Sequence, residues 1–268
     1  MFSKIIIVTG ASSGIGKSIA QLLSSNGFMV YGTCRDPKKY NITDFNLLQC
    51  DINNNNEIKD FIKYVISKEG RVDVLINNAG IGITGPLEET SQDDMKSAFQ
   101  TNFFGPVEMI KQCIPIMREK NDGLIINITS VLGYFGIPFR GIYCATKSSM
   151  EIIGEGFSME LKKFNIRVVN IAPGDFKTDI ISRRIDSREN NFSVYKKDYL
   201  KSIKSANKHV ENAQSPEIIS KLILKIINSS NIKIHYKIGP FIQKFSIILK
   251  RILPDKLFEK ILLLYSKN

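Results

Sequence analysis

A chain of 268 residues with 43% apolar and 24% charged residues has an ordinary globular mix, enough for one large α/β domain and too short for two enzyme domains with a linker. The net charge of +11 admits nucleic acid or an anionic membrane as a partner. No nucleic-acid motif accompanies it, so compositional bias towards Ile, Asn and Lys is the favoured explanation and no nucleic-acid partner is expected.

Cys34, Cys50, Cys113 and Cys144 lack metal-binding spacing, and His209 and His235 stand far apart. Reduced thiols, no bound metal and a cytoplasmic location follow as expectations. The apolar run near the start is too short for a signal peptide or a membrane span.

Residues 5–9 form a β-branched run, the pattern of a strand buried on both faces. Gly10 follows directly, then Ser12, Ser13, Gly14, Ile15 and Gly16, opening a helix over 14–25. Alone, such a cluster marks only a turn. Between a first strand and a first helix it lets backbone approach a pyrophosphate resting on the helix N-terminus. A second strand over 28–33 ends at Cys34-Arg35-Asp36. Arg35 there suits the 2′-phosphate of NADP(H), unless it is only a solvated surface charge; Asp36 keeps NAD(H) as the alternative.

A third strand, 47–51, ends in Asp51-Ile52. The Asp51 carboxylate is placed either for an adenine amino group or as a turn or cap residue. A helix over 57–67 and a fourth strand over 72–76 lead to Asn77-Asn78-Ala79-Gly80, small residues that let backbone lie close to a ribose. A long helical stretch, 91–117, contains Pro106 and Pro115, which should bend or end it. A fifth strand over 123–130 ends at Ser130. Phe135, Ile137 and Phe139 then give an apolar edge, or merely pack.

Tyr143 and Lys147 share one face near the start of a helix over 142–164. A lysine cation there favours the phenolate and lowers the tyrosine pKa, and the Ser130 hydroxyl can hold a substrate carbonyl as its charge develops. A sixth strand covers 167–172. Strands alternating with helices imply a doubly wound parallel sheet with its ligands beyond the carboxyl ends of the strands.

Thr9-Gly10, Gly14-Ile15-Gly16, Asn77 to Gly80, Asn102, Ser130, Tyr143, Lys147 and Pro173-Gly174 together resemble the short-chain dehydrogenase/reductase family over about residues 3–180. The resemblance implies a single Rossmann-type domain and hydride transfer with a small alcohol or carbonyl substrate. Tyr143 would be the general acid in reduction and the base in oxidation. Lys147 would hold the nicotinamide ribose, Ser130 would orient the carbonyl, and Asn102 would anchor a proton-relay water. Pro173, Gly174 and Thr178 match the segment against the nicotinamide. Residues 33–36 and the tail look like the hydroxysteroid- and retinol-dehydrogenase branch. That implies a lipophilic secondary alcohol, ketone or aldehyde (hydroxysteroid-, retinoid- or acyl-like). Family members are commonly homo-oligomers. The alternative is a nucleotide-sensing or membrane-surface module on the same scaffold.

Residues 1–236 are thus expected to form the catalytic domain, with 176–208 as substrate lid, and 237–268 a basic amphipathic helical extension. In the tail, Phe241, Ile242, Phe245, Ile248, Leu249 and Ile252 recur at helical spacing before Pro254, and Leu257, Phe258, Ile261, Leu262 and Tyr265 continue after it. Seven Lys/Arg stand against Asp255 and Glu259 from residue 237 onward. Such helices lie on a membrane, cover a pocket or bury a subunit interface; packing on the protein is the favoured expectation.

Overall fold

The computed structural model describes residues 3–178, 183–187 and 193–267. Strands β1 (Ile5–Val8), β2 (Met29–Cys34), β3 (Asn46–Gln49), β4 (Val74–Asn77), β6 (Gly123–Ile128), β7 (Ile166–Pro173) and β9 (His235–Ile238) form one parallel sheet in the order β3-β2-β1-β4-β6-β7-β9. The chain order reverses between β1 and β4, and the glycine cluster leaves β1 at that point. This is the doubly wound Rossmann-type sheet expected. β5 (Ile83–Thr84) and β8 (Ile185–Asp186) pair separately.

Helices α1 (Gly14–Ser25), α2 (Asn55–Glu69), α3 (Gln92–Phe99), α4 (Gly105–Glu119), α5 (Gly141–Leu161), α6 (Lys196–Glu211) and α7 (Glu217–Ile227) surround the sheet, and α8 (Phe241–Ile252) and α9 (Asp255–Lys267) form the tail. One core joins β1, β4, β6 and β7 to α1 and α7 through residues such as Ile6, Ile19 and Ile223. The other face packs on α2 and α4 through Ile7, Ile58 and Met109. Each fully buried isoleucine stabilises by about 2 kcal/mol, which is why the β1 run needs no polar alternation.

Three elements depart from expectation. The stretch over 91–117 divides at a wide, five-residue turn (Gln100–Phe104), and the adjoining Gly105 lies so close to Ile52 that a Cβ would meet its carbonyl oxygen at 2.4 Å. Pro106 sits in the first turn of α4, and Pro115 lies inside α4 without ending it. Strand β9 carries the chain past residue 236, so the helices of the extension begin after Pro240. Of the segment expected to be a lid, residues 179–182 and 188–192 lie outside the described residues.

A buried carboxylate ties the chain start to the sheet. Asp73 accepts the Ile5 N–H at 2.7 Å and the Lys120 ammonium at 2.9 Å, and it pairs with Arg71. Burial alone would raise its pKa, but these hydrogen bonds outweigh it and hold the carboxyl below the usual range. Asp73→Ala should cost about 2 kcal/mol, since it strands the Ile5 N–H, and lower Tm by roughly 5 °C. A lowered carboxylate pKa contributes stability above the ordinary carboxylate range and loses it as pH falls through the folded value. The gap between wild type and variant in thermal melts should therefore close on acidification.

Candidate active site

The glycine cluster is shaped by close approach. Gly10 has φ of 65°, and a Cβ there would come within 2.9 Å of Ala79 Cα. At Gly16 a Cβ would come within 2.3 Å of the Gly10 carbonyl and 2.4 Å of Asn78 Nδ2. Glycine is thus required at Gly10 by conformation and space and at Gly16 by space alone. Asn78 fastens the loop by donating to the Thr9 and Gly10 carbonyls at 2.9 and 3.2 Å, while Thr9 Oγ1 accepts the Asn78 and Ala79 N–H groups. Ser13 is the extended N-cap residue of α1 and makes no side-chain cap bond; Ser12 beside it is buried. The Thr178 side chain lies beside Gly14.

At the end of β2, Arg35 is exposed. Asp36 is engaged elsewhere: it caps the following turn by accepting the Lys38 N–H at 3.2 Å and pairs with Lys39 at 3.2 Å. Asp51 accepts the Asn53 N–H at 3.0 Å, so it serves the turn, and Asn54 rather than Asp51 caps α2. The Ile52 side chain is buried.

Three of the four catalytic candidates converge on one cavity of about 520 Å³ at the carboxyl ends of β4, β6 and β7, and Asn102 is not in its lining. Ser130, Tyr143 and Lys147 line it, as do Ile15, Asn78, Gly80, Pro173, Gly174 and Thr178. Phe135 and Ile137 also line it, whereas Phe139 packs edge-on against Tyr195 and Tyr199. Arg35, Asp51 and Ile52 lie away from this cavity, at the other end of the sheet's ligand edge.

Asn102, in the wide turn, uses its amide on the Ile81 backbone and the Thr146 hydroxyl. Its Oδ1 accepts the Ile81 N–H at 2.8 Å, and its Nδ2 donates to the Ile81 carbonyl at 2.9 Å and to Thr146 Oγ1 at 3.1 Å. A Cβ on Gly80 would stand 3.1 Å from Asn102 Oδ1 and 3.5 Å from Lys147 Nζ, so Gly80 leaves room for both.

Lys147 is buried and donates to the Ile128 carbonyl at 3.0 Å. Burial lowers its pKa to about 8, against the opposing charge of Glu151. Tyr143 departs from the expected direction. Desolvation raises it to about 12, and the hydrogen bond from Ser130 offsets this only in part. The Lys147 ammonium stands 5.9 Å from the Tyr143 ring centroid, over the ring.

Sequence reasoning missed the support behind this site. Asn77, Asn127, Asn170 and His235 are in register across β4, β6, β7 and β9. Asn77 donates to Asn127, and Asn127 to Asn170, both at 3.0 Å. Asn170 donates to the Glu151 carbonyl at 2.9 Å, and His235 Nδ1 meets Glu151 Oε2 at 3.0 Å. Thr129 and Tyr134 also bond Glu151, which is buried one turn beyond Lys147. The one sequence signal for this was the spacing of 143, 147, 151 and 155 down one face of a helix.

The family model for short chain dehydrogenase matches residues 4–189. A curated 3-ketodihydrosphingosine reductase from Bacteroides thetaiotaomicron is 39% identical over 97% of this chain and 96% of its own length. Retinol dehydrogenase 8 of Bos taurus is 30% identical, over 84% of this chain and 78% of its own, in keeping with the branch expected from the sequence. Among solved structures, ElxO with NADP bound superposes with a TM-score of 0.73 at 25% identity, covering 88% of this chain and 97% of that one. The sheet order, the cavity and these matches agree: the chain belongs to the short-chain dehydrogenase/reductase family, oxidoreductases that interconvert CH–OH and carbonyl groups with NAD(P).

Proposed function

We propose that this protein is an NADPH-dependent reductase of a lipophilic ketone, with a long-chain 3-keto sphingoid base of the 3-ketodihydrosphingosine type as its substrate. The observation that carries it is the cavity, whose wall holds Ser130, Tyr143 and Lys147 together while apolar residues such as Ile83, Phe135, Leu249 and Phe258 line much of the rest. Such a cavity suits a carbonyl attached to a long apolar chain. The 39% identity to a 3-ketodihydrosphingosine reductase over nearly the whole chain supports the same substrate. Self-association as a homo-oligomer, a cytoplasmic location and the division into residues 1–236 and 237–268 belong to the same proposal, while peripheral contact of the extension with lipid is proposed independently of the reductase activity.

The residues divide as follows. Gly10, Ser12, Ser13, Gly14, Ile15 and Gly16 would hold the pyrophosphate at the start of α1. Arg35 would take the 2′-phosphate, because Asp36 is already committed to its turn. Asp51 and Ile52 would border the adenine, and Asn78, Ala79 and Gly80 the adjoining ribose. Pro173, Gly174 and Thr178 would back the nicotinamide. When bound, NADPH supplies the hydride.

Ser130 would donate its hydroxyl hydrogen to the substrate carbonyl, and Tyr143 would deliver the proton to that oxygen. A phenol with a pKa of about 12 stays protonated at neutral pH, the state that reduction requires. Lys147 would bind the nicotinamide ribose as a cation, and Asn102 would hold the proton-relay water.

The direct test is NADPH oxidation with 3-ketodihydrosphingosine and with ketones of decreasing chain length. Rates should fall as the chain shortens; a flat series, or no reduction of any ketone, would overturn the substrate assignment. Tyr143→Phe should lower kcat by roughly 100-fold or more while NADPH binding persists. Titration by cofactor fluorescence should show NADPH bound more tightly than NADH, with Arg35→Ala weakening NADPH alone by roughly 10- to 100-fold. Equal NADH binding would return the selection to Asp36 or backbone.

Lys147 also sets a pH limb. Its charge is present below about 8 and lost above, so kcat/KM for NADPH should decline as pH rises through that value. Glu151 raises the Lys147 pKa, so Glu151→Gln should move the limb to lower pH. An unmoved limb would remove Glu151 from the electrostatics of the site.

A further inference from the structure

Helix α8 packs on the protein by its more polar side. Gln243 accepts the Asp175 N–H at 2.8 Å and donates to the Asp175 carboxylate at 2.5 Å, and Ile247 is buried nearby. A Cβ on Gly174 would fall 2.1 Å from Gln243 Oε1, so the helix is seated tightly there. At about 100° per residue, Phe241, Phe245, Ile248 and Ile252 lie on the opposite side. All four are exposed, Phe241 by 75% and Ile252 by 67%.

Helix α9 behaves likewise. Phe258 is buried against Phe135, whereas Leu257, Ile261 and Leu264 are exposed. Half of the large exposed apolar side chains among the described residues belong to these two helices. Lys244 and Arg251 flank the first stripe, and Lys256 and Lys260 the second. An apolar surface of this extent bordered by cations marks an interaction face.

The face also adjoins the cavity. Ile242, Phe245 and Ile261 line it and are exposed at the same time, so they form its mouth. Among the described residues no helix is long and apolar enough to cross a membrane, and α8, at 12 residues, would lie in the plane of one. A two-fold contact with a second copy would bring two faces with the same cationic rim together. An anionic surface complements them.

We infer that α8 and α9 dock on an anionic lipid bilayer, and that the mouth between them passes a long-chain substrate from the acyl region to Ser130 and Tyr143 without a crossing through water. The passage rests on the reductase proposal; the docking stands on the surface alone.

Sedimentation of the full-length protein with phosphatidylcholine vesicles, with and without phosphatidylglycerol, tests it. Binding should require the anionic lipid and weaken with salt. Two variants avoid the cavity lining: Phe241→Ser with Ile248→Ser and Ile252→Ser, and Lys256→Glu with Lys260→Glu. Each should keep the wild-type Tm and its rate on a short water-soluble ketone. Each should lose vesicle binding by roughly tenfold or more, with a matching fall in reduction of a vesicle-borne long-chain ketone.

Wild-type protein left in the supernatant, or variants that bind as well as wild type, would overturn the docking. So would a wild-type oligomer that the triple serine variant splits into monomers, which assigns the face to a second copy. Vesicle binding without reduction of any ketone would overturn the reductase proposal and the passage while leaving the docking intact.

Discussion

The row of buried amides across the centre of the sheet is the constraint on which the rest of the site depends. Asn77, Asn127 and Asn170 occupy strand positions where an unpaired polar group would cost about 1–3 kcal/mol each. Each passes a hydrogen bond to the next and the last reaches Glu151 on α5, so that of the three side chains Asn77 Oδ1 alone is left buried without a partner. That chain pulls the helix onto the sheet. Gly154 permits the approach, since a Cβ there would stand 2.3 Å from Asn170 Oδ1. With α5 held at that depth and rotation, Tyr143 and Lys147 face the end of β6, where Ser130 and the Ile128 carbonyl wait.

The same depth sets the electrostatics. Burying an ammonium costs free energy, and among the described residues the countercharge acting on Lys147 is its helix neighbour Glu151. Burial acts on Tyr143 in the opposite numerical sense but by the same physics, because the charged form is disfavoured in both. The two residues therefore rest with a neutral phenol above a weakened cation, an arrangement suited to giving a proton away.

Much of this was legible in the residues. The glycine cluster, the turn after β4 and the Tyr143–Lys147 spacing depend on local geometry, and the doubly wound parallel sheet, though not its strand order, follows from alternating elements. Strand β9 was missed although residues 232–238 alternate apolar and polar, because it is only four residues long and pairs with β7 only in the folded chain. The wide turn over 100–104 bonds Asn53 through Gln100 and Thr101, a contact distant in sequence. Tyr143 was expected to be shifted down by Lys147, but pocket desolvation raises it, and what opposes the rise is the Ser130 hydrogen bond and the Arg140 charge. The tail periodicity showed two amphipathic helices without showing which side faces the protein. In α8 the choice falls to Gln243, Ser246 and Ile247, and the larger apolar stripe turns outward.

The central claim is that one cavity brings a hydride donor and the proton of Tyr143 to a long-chain ketone. Single-turnover reduction of 3-ketodihydrosphingosine with NADPH deuterated at C4 measures it directly, by mass spectrometry of the alcohol. The account predicts deuterium on the carbinol carbon in the wild type and almost none within the same time in Tyr143→Phe. NADPH bound in the wild type with no deuterium reaching any ketone, or transfer undiminished in Tyr143→Phe, would contradict it.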